Sequence, residues 1–103
     1  MAVAFIQEFE LDDDDRSTTN YDSTMERLGL RSDPPEGSIV HTAGFDEEAG
    51  VFRIFGVWET REHGERFMRE RLQPVIEEMR AARPDARPPH REGWYELHDV
   101  MTR

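Results

Sequence analysis

The stretch VFRIFGVWETREHGERF, residues 51–67, changes its pattern halfway along. Its first half is apolar on both faces of the strand that it predicts, whereas its second half is typical of the charged beginning of a helix. Side chains of a strand alternate between its two faces. The stretch therefore predicts a strand that leads directly into a helix, with Phe52, Ile54, Gly56 and Trp58 on one face and Val51, Arg53, Phe55 and Val57 on the other.

Turn signals divide the rest of the chain into four further elements. The segments 31–37 and 46–50 predict turns, and the proline-rich segment 82–90 predicts an extended linker. The acidic run DDDD at 12–15 is more typical of a solvated turn than of a metal site. The predicted order is β-α-β-β-α-β, with strands over 2–11, 38–45, 51–59 and 93–101, one helix over 17–30, and a second from Thr60 to the linker.

The second helix carries the most specific local predictions. Thr60 is placed to cap its start. Pro74 predicts a bend or a break, because proline has no N–H to donate and its ring collides with the carbonyl four residues earlier. Acidic and basic residues four positions apart predict ion pairs on the outer face, among them Glu65 with Arg69.

The element order predicts the fold. Right-handed crossovers place both helices on one side of a single antiparallel sheet, so we expect an α+β, ferredoxin-like split βαβ domain over 1–103. The helix-free face would leave Phe55, Val57 and either Ile6 or Phe5 in water, and soluble monomers rarely expose such a patch. Because no third layer remains in the chain, we expect a homodimer that packs through the helix-free sheet face.

Composition and motifs exclude several classes of protein. The net charge of −10 argues against nucleic acid as a partner, because binding to phosphates needs clustered positive charge. The chain has no Cys, and all thirteen basic residues are Arg, which excludes thiol nucleophiles and Schiff-base chemistry. The N-terminal MAVAFIQEFE has no basic region, and its apolar run is far shorter than a membrane span. We therefore expect a cytoplasmic protein. Metal, serine-hydrolase and phosphate-loop motifs are absent from the sequence.

The segments VWETREHGERF and RLQPVI, preceded by YDSTMERLGL and PPEGSIVHTAG, resemble small stand-alone members of the dimeric α/β-barrel superfamily related to antibiotic-biosynthesis-monooxygenase domains. The resemblance covers nearly the whole chain. It implies a cleft between sheet and helices with Trp58 in its wall. Members include cofactor-free oxygenases of aromatic polyketides, haem-degrading enzymes, and isomerase-like or cyclase-like proteins. The chain departs from the haem-degrading members, because it has no histidine between Phe67 and Leu72, and from the oxygenases, because Ile54 and Gly56 are not polar partners for the tryptophan.

His41 is the histidine best suited to act as a general base, because its pKa can be tuned across neutrality. A hairpin loop of two or four residues places His41 on the face of Trp58, and a loop of three residues places it on the other; the resemblance favours the same face. Gly56 leaves room for a flat ligand against the indole. A hydrogen-bonded structural histidine and a core tryptophan are the alternatives.

Further candidates come from the helices. Asn20 and Tyr21, at the start of the first helix, are candidate substrate-binding residues, although a helix start and a core position are the simpler explanations. His63 is a third candidate, with a surface position as the alternative. His98 lies on the last strand, whose inward face the sequence leaves open, and His90 is expected to be exposed.

Two classes of function remain. One is a cofactor-free monooxygenase-like, isomerase-like or cyclase-like enzyme that acts on an aromatic or polyketide-like substrate, with His41 as base and Trp58 as stacking wall. The other is a non-catalytic ligand-binding or interaction protein of the same dimeric fold. Polar groups that converge on His41 favour the enzyme, whereas a pocket lined only by apolar groups favours the binding protein. Neither class is expected to need a cofactor or a metal.

Overall fold

A computed structural model describes residues 2–12, 16–82 and 88–102 of the chain. The strands form one four-stranded antiparallel sheet in the order β2-β3-β1-β4, so the predicted α+β, ferredoxin-like fold is confirmed. The elements are β1 (Val3–Glu10), α1 (Thr19–Leu28), β2 (Ser38–Asp46), β3 (Val51–Trp58), α2 (Arg61–Phe67), a π-helical turn (Met68–Leu72), α3 (Gln73–Ala82) and β4 (Arg91–Glu96).

The helices cover one face of the sheet. Tyr21 of α1 packs edge-on against Phe52, and Phe67 of α2 packs against Trp58, with ring centroids 5.6 and 5.4 Å apart. Phe52 and Trp58 lie on the same face of β3, as the alternation predicts. The core of this layer consists of the buried residues Val3, Phe5 and Trp58, with Phe67, Met68 and Trp94 packed against them.

The hairpin between β2 and β3 has a loop of four residues, 47–50. It pairs His41 of β2 directly with Gly56 of β3. The sequence left open whether this loop has two, three or four residues. A loop of four residues is one of the two lengths that place His41 on the helix-covered face. A bulge between Ser38 and Val40 shifts the pairing at the start of β2.

The last strand is shorter than predicted. The prediction of a strand over 93–101 is wrong beyond Glu96, where β4 ends. Glu96 pairs with Val3, and Leu97 bonds to the carbonyl of Ala2, so β1 offers no further partners. A strand continues only while a neighbouring strand supplies hydrogen-bond partners. β4 therefore ends opposite the first residue of β1. The predicted turn at 12–15 and linker at 82–90 lie largely outside the described residues.

The second helix starts at the predicted cap, because the Thr60 hydroxyl accepts a hydrogen bond of 3.1 Å from the His63 amide. The expected interruption before Pro74 takes the form of a π-helical turn, in which Gln73 N–H bonds to the carbonyl of Met68. The wider turn gives the proline ring room beside the preceding carbonyls, so the helix continues as α3 instead of breaking.

The predicted ion pair between Glu65 and Arg69 is not formed. Glu65 pairs with Arg61 instead, at 2.7 Å. Arg69 lies in the π-helical turn, where the spacing of residues around the helix axis differs from that of an α-helix. The i,i+4 rule therefore does not apply to Arg69.

The helix-free face combines an apolar half with an ionic half. Phe55 pairs with Ile6, and Phe5 lies on the opposite face, which resolves the alternative that the sequence left open. In the ionic half, Glu8 is buried with 6% of its surface exposed and bonds to Arg53 at 2.6 Å and to Arg91 at 3.2 Å. The hydrogen bond from Arg53 holds the pKa of Glu8 below its ordinary value.

None of the helices in the described part of the chain is both long enough and apolar enough to span a bilayer.

Candidate active site

The site begins with a hydrogen bond between α1 and β2. The Tyr21 hydroxyl lies 2.9 Å from His41 Nε2, and the two rings are nearly parallel with centroids 6.2 Å apart. Tyr21 is fixed in turn by its edge contact with Phe52 of β3. The hydrogen bond to Tyr21 therefore holds the imidazole through Nε2, and the other ring nitrogen, Nδ1, faces the sheet.

A notch lies beside that second nitrogen. Gly56 has no side chain, and the point where a Cβ would stand is 3.8 Å from His41 Nδ1 and 3.4 Å from Trp58 Nε1. Among the residues that the structure describes, none accepts a hydrogen bond from the Trp58 indole N–H. A ligand atom above Gly56 would therefore meet an imidazole nitrogen on one side and an indole N–H donor on the other.

Partial removal from water shifts both ionisable groups of the pair. Desolvation lowers the pKa of His41 below 6.5, because burial disfavours the charged imidazolium. Desolvation and the nearby Asp22 carboxylate raise the pKa of Tyr21 above 10.0. Much of the His41 surface is still exposed, on the edge strand β2. At neutral pH the pair therefore consists of a neutral imidazole and a neutral phenol, which suits a base that must accept a proton.

The other sequence-predicted residues lie around this notch to different degrees. Asn20 is exposed in the first turn of α1, next to Tyr21. His63 bonds through Nδ1 to the Thr60 hydroxyl at 2.7 Å, and its ring packs on Gly37, so its described contacts serve the start of α2. His90 is exposed and lies 3.1 Å from Glu10, and His98 is exposed beyond the end of β4.

A second concave region lies on the same face, over β1 and β4. This groove encloses about 330 Å³, and its lining includes Phe5, Glu65, Met68, Arg69, Glu92 and Trp94. The groove lies between the sheet and the helices, as the predicted cleft does, but it is at some distance from His41. His41 is on β2, and β3 and β1 separate β2 from β4 in the sheet.

Gly64 determines how closely α2 approaches this region. A Cβ on Gly64 would lie 2.5 Å from Trp94 Cη2 and 3.2 Å from Trp58 Cδ1. Only a residue without a side chain lets the helix backbone rest on both indoles. This contact could not be predicted from the sequence, because the sequence does not determine which face of the last strand points inward. No group of three or more His, Asp or Glu residues within 2–12, 16–82 and 88–102 is arranged to hold a metal ion.

Solved structures share this architecture. SnoaB from Streptomyces nogalater, described as a cofactor-independent oxygenase, is 14% identical with a TM-score of 0.63, and the match covers 99% of this chain and 98% of that one. Rv0793 from Mycobacterium tuberculosis is 15% identical with a TM-score of 0.67, covering 99% and 100%. A Chloroflexus aurantiacus protein with the name "putative Antibiotic biosynthesis monooxygenase" is 13% identical with a TM-score of 0.64, covering 99% and 98%.

The chain has the fold of the antibiotic-biosynthesis-monooxygenase-like proteins. At these identities the likeness establishes the fold, and activity has to be argued from the site itself. No protein-family model matches the sequence, and the search of curated proteins finds no match either.

Proposed function

We propose that the protein is a cofactor-free enzyme that takes a proton from a flat aromatic substrate and lets the resulting anion react with O2. The single observation that carries the proposal is the convergence of two polar side-chain groups on the Gly56 notch. His41 Nδ1 and Trp58 Nε1 lie within 4 Å of one point, and Tyr21 holds the far nitrogen of the imidazole. Such convergence of polar groups is what distinguishes a reactive site from an apolar pocket.

In the proposed reaction, His41 Nδ1 removes a proton from a methylene carbon that is acidified by neighbouring rings and a carbonyl. The Trp58 N–H stabilises the negative charge that develops on the substrate oxygen. The carbanion supplies the electrons that reduce O2, so the substrate itself is the reductant. One oxygen atom becomes the new carbonyl, the other leaves as water, and the oxidation of CH2 to C=O supplies all four electrons.

Oxygen consumption with a tricyclic anthrone tests this function directly. An anthrone has a flat ring system and an acidic methylene group, which lies opposite the carbonyl group in the central ring. The flat rings suit the indole, and the methylene group suits the base at the notch. The proposal predicts enzyme-dependent oxygen uptake and formation of the quinone with no added flavin, haem or metal. Uptake that requires an added metal or flavin, or no uptake although the anthrone binds, would contradict it.

The pH dependence of kcat/KM provides a further prediction. His41 acts as a base only when neutral, and desolvation lowers its pKa below 6.5. We therefore expect the acidic limb of the kcat/KM profile to be centred below pH 6.5, where the imidazole becomes protonated. A pH–rate profile measures this, and an acidic limb centred above 6.5 would be the wrong result for His41 as the base.

The groove over β1 and β4 favours a second candidate, a non-catalytic binding function. Its floor is aromatic and is formed by Phe5 and Trp94. Ligand binding in the groove without oxygen consumption by any anthrone would favour this candidate over the enzyme.

We also propose that the working form is a homodimer that packs through the helix-free sheet face. On the helix-free face, Val40 and Tyr95 are 42% and 48% exposed and flank Val57 and Ala4, which are already buried in the single chain; Phe55 and Ile6 lie in the neighbouring row and are half-buried. A second copy on this face would cover the exposed apolar side chains of Val40 and Tyr95.

Phe55→Glu is expected to dissociate this dimer, because each copy would bring an unpaired carboxylate to the centre of the interface. Sedimentation equilibrium at low micromolar concentration measures the change. Ala81→Glu, which adds the same charge to an exposed position of α3, is the matched control and should stay dimeric. A folded wild-type monomer, or a Phe55→Glu dimer, would refute this interface.

A further inference from the structure

We propose that the groove over β1 and β4 binds a small aromatic ligand that carries both a carboxylate and an ammonium group, with the chemistry of an aromatic amino acid. This inference goes beyond the proposed oxygenation and does not depend on His41. It rests on the groove's aromatic floor and on Arg69 and Glu92 in its walls; the third charged residue of the lining, Glu65, is paired with Arg61.

The floor of the groove suits an aromatic ring. Phe5 and Trp94 stand beside each other with ring centroids 4.4 Å apart and a tilt of 36°. Met68 adds a thioether from the helix side. Aromatic and thioether groups form favourable contacts with a planar ligand, and the volume of about 330 Å³ lies within the range of small-molecule sites.

The helix wall of the groove provides a cation. Within the described ranges, Arg69 has neither an ion-pair partner nor a hydrogen-bonded acceptor, although it lines the groove. Its nearest expected partner, Glu65, is occupied by Arg61 at 2.7 Å. The Arg69 guanidinium is therefore available to a carboxylate, which it can bind through two parallel hydrogen bonds.

The sheet wall provides an anion. Glu92 lies on β4, next to Gln7 of β1, whose amide donates a hydrogen bond of 3.1 Å to it. That partner is neutral, and no cation pairs with Glu92 in the part of the chain that the structure describes. An ammonium group on the ligand would neutralise it. A purely anionic ligand would instead leave two negative charges in the groove against one positive charge.

The π-helical turn links these features. Met68 and Arg69 are the first two residues of this turn, and both line the groove. Single π-helical turns within α-helices often occur at functional sites, because the extra residue redirects side chains. Here the turn separates Arg69 from its i,i+4 partner and leaves it beside the aromatic floor.

Calorimetric titration with three indoles tests the proposal on the intact chain. L-tryptophan carries both charged groups, tryptamine lacks the carboxylate, and indole-3-acetate lacks the amine. We expect L-tryptophan to bind about fivefold more tightly than either, since each solvent-exposed charge contact contributes at most about that factor. Equal affinity for all three, or no binding of any up to millimolar concentration, would overturn the proposal.

Two variants assign the charges. Arg69→Gln should remove the preference for L-tryptophan over tryptamine, and Glu92→Gln should remove its preference over indole-3-acetate. Arg80→Gln, the same change at an exposed position of α3, is the matched control and should alter neither preference. If Arg80→Gln lost both preferences for L-tryptophan, net charge alone would explain the effect. If Arg69→Gln kept its preference for L-tryptophan over tryptamine, Arg69 would not be the group that binds the carboxylate.

The two indole N–H signals of the nitrogen-15-labelled protein locate the ligand. Trp94→Phe removes one of them and so assigns both. Unlabelled L-tryptophan should shift the Trp94 signal and leave the Trp58 signal in place. A shift of Trp58 alone would put the ligand at the Gly56 notch, which would overturn this inference while leaving the proposed enzyme function intact.

Discussion

Replacing His41 with alanine is expected to lower kcat by about 10²–10⁴-fold, which is the usual contribution of a positioned general base. The Gly56 notch would keep the Trp58 N–H but lose the only nitrogen base described beside it. Fold stability should change little, because His41 lies on the edge strand with an exposed side chain. Oxygen uptake with an anthrone at saturating concentration measures the effect, and thermal unfolding verifies the fold.

Tyr21→Phe is expected to have a smaller effect than His41→Ala. It removes one hydrogen bond from His41 Nε2 and keeps the ring contact with Phe52. The loss in kcat should be about tenfold or less, which is the value of a single hydrogen bond. If His41→Ala retained wild-type turnover in a folded protein, His41 would be structural and the proposed reaction would lose its base.

Trp58→Ala is expected to destabilise the protein by about 3–5 kcal/mol. Trp58 is 7% exposed and belongs to the core of the helix-covered layer, where Phe67 packs against it and Gly64 of α2 rests beside it. Truncation would leave a cavity under the helix that these rigid neighbours cannot fill. Urea unfolding followed by circular dichroism measures the loss, and a change below about 1 kcal/mol would contradict this role.

Trp58→Phe separates the packing function of Trp58 from its hydrogen-bonding function. Phenylalanine keeps most of the contact with Phe67 but has no N–H to offer a substrate oxygen. We expect most of the stability to remain while kcat falls about 10²–10³-fold, as when one donor to a developing oxyanion is removed. Full activity in Trp58→Phe would show that the indole acts only as a wall.

Much of the fold could be predicted because strand periodicity and hairpin geometry are local properties. The alternation in β3 could be predicted, but the sequence left the length of the hairpin loop open, and the four-residue loop 47–50 of the structure places His41 and Trp58 on one face. The hydroxyl contact of Tyr21 with His41 could not be predicted, because it depends on how α1 is seated over the sheet. The sequence supplied both residues, but not the 2.9 Å between them.

The groove was missed for related reasons. Trp94 faces the helices because it pairs with Phe5 across β1 and β4, and that register is a long-range property. Pro74 predicted an interruption of the helix, but the sequence did not indicate that the interruption would be a π-helical turn. That turn is what separates Arg69 from Glu65, so the unpaired cation could not be inferred from i,i+4 spacing.

The most direct test of the account is the tautomer of His41, measured by nitrogen-15 NMR of the imidazole at a pH above its lowered pKa, with His41→Ala to assign the signals. The proposed mechanism requires the proton on Nε2, donated to the Tyr21 hydroxyl, and an unprotonated Nδ1 facing Gly56. It therefore predicts the Nε2–H form. A dominant Nδ1–H form would leave no base beside the notch and would contradict the proposed reaction.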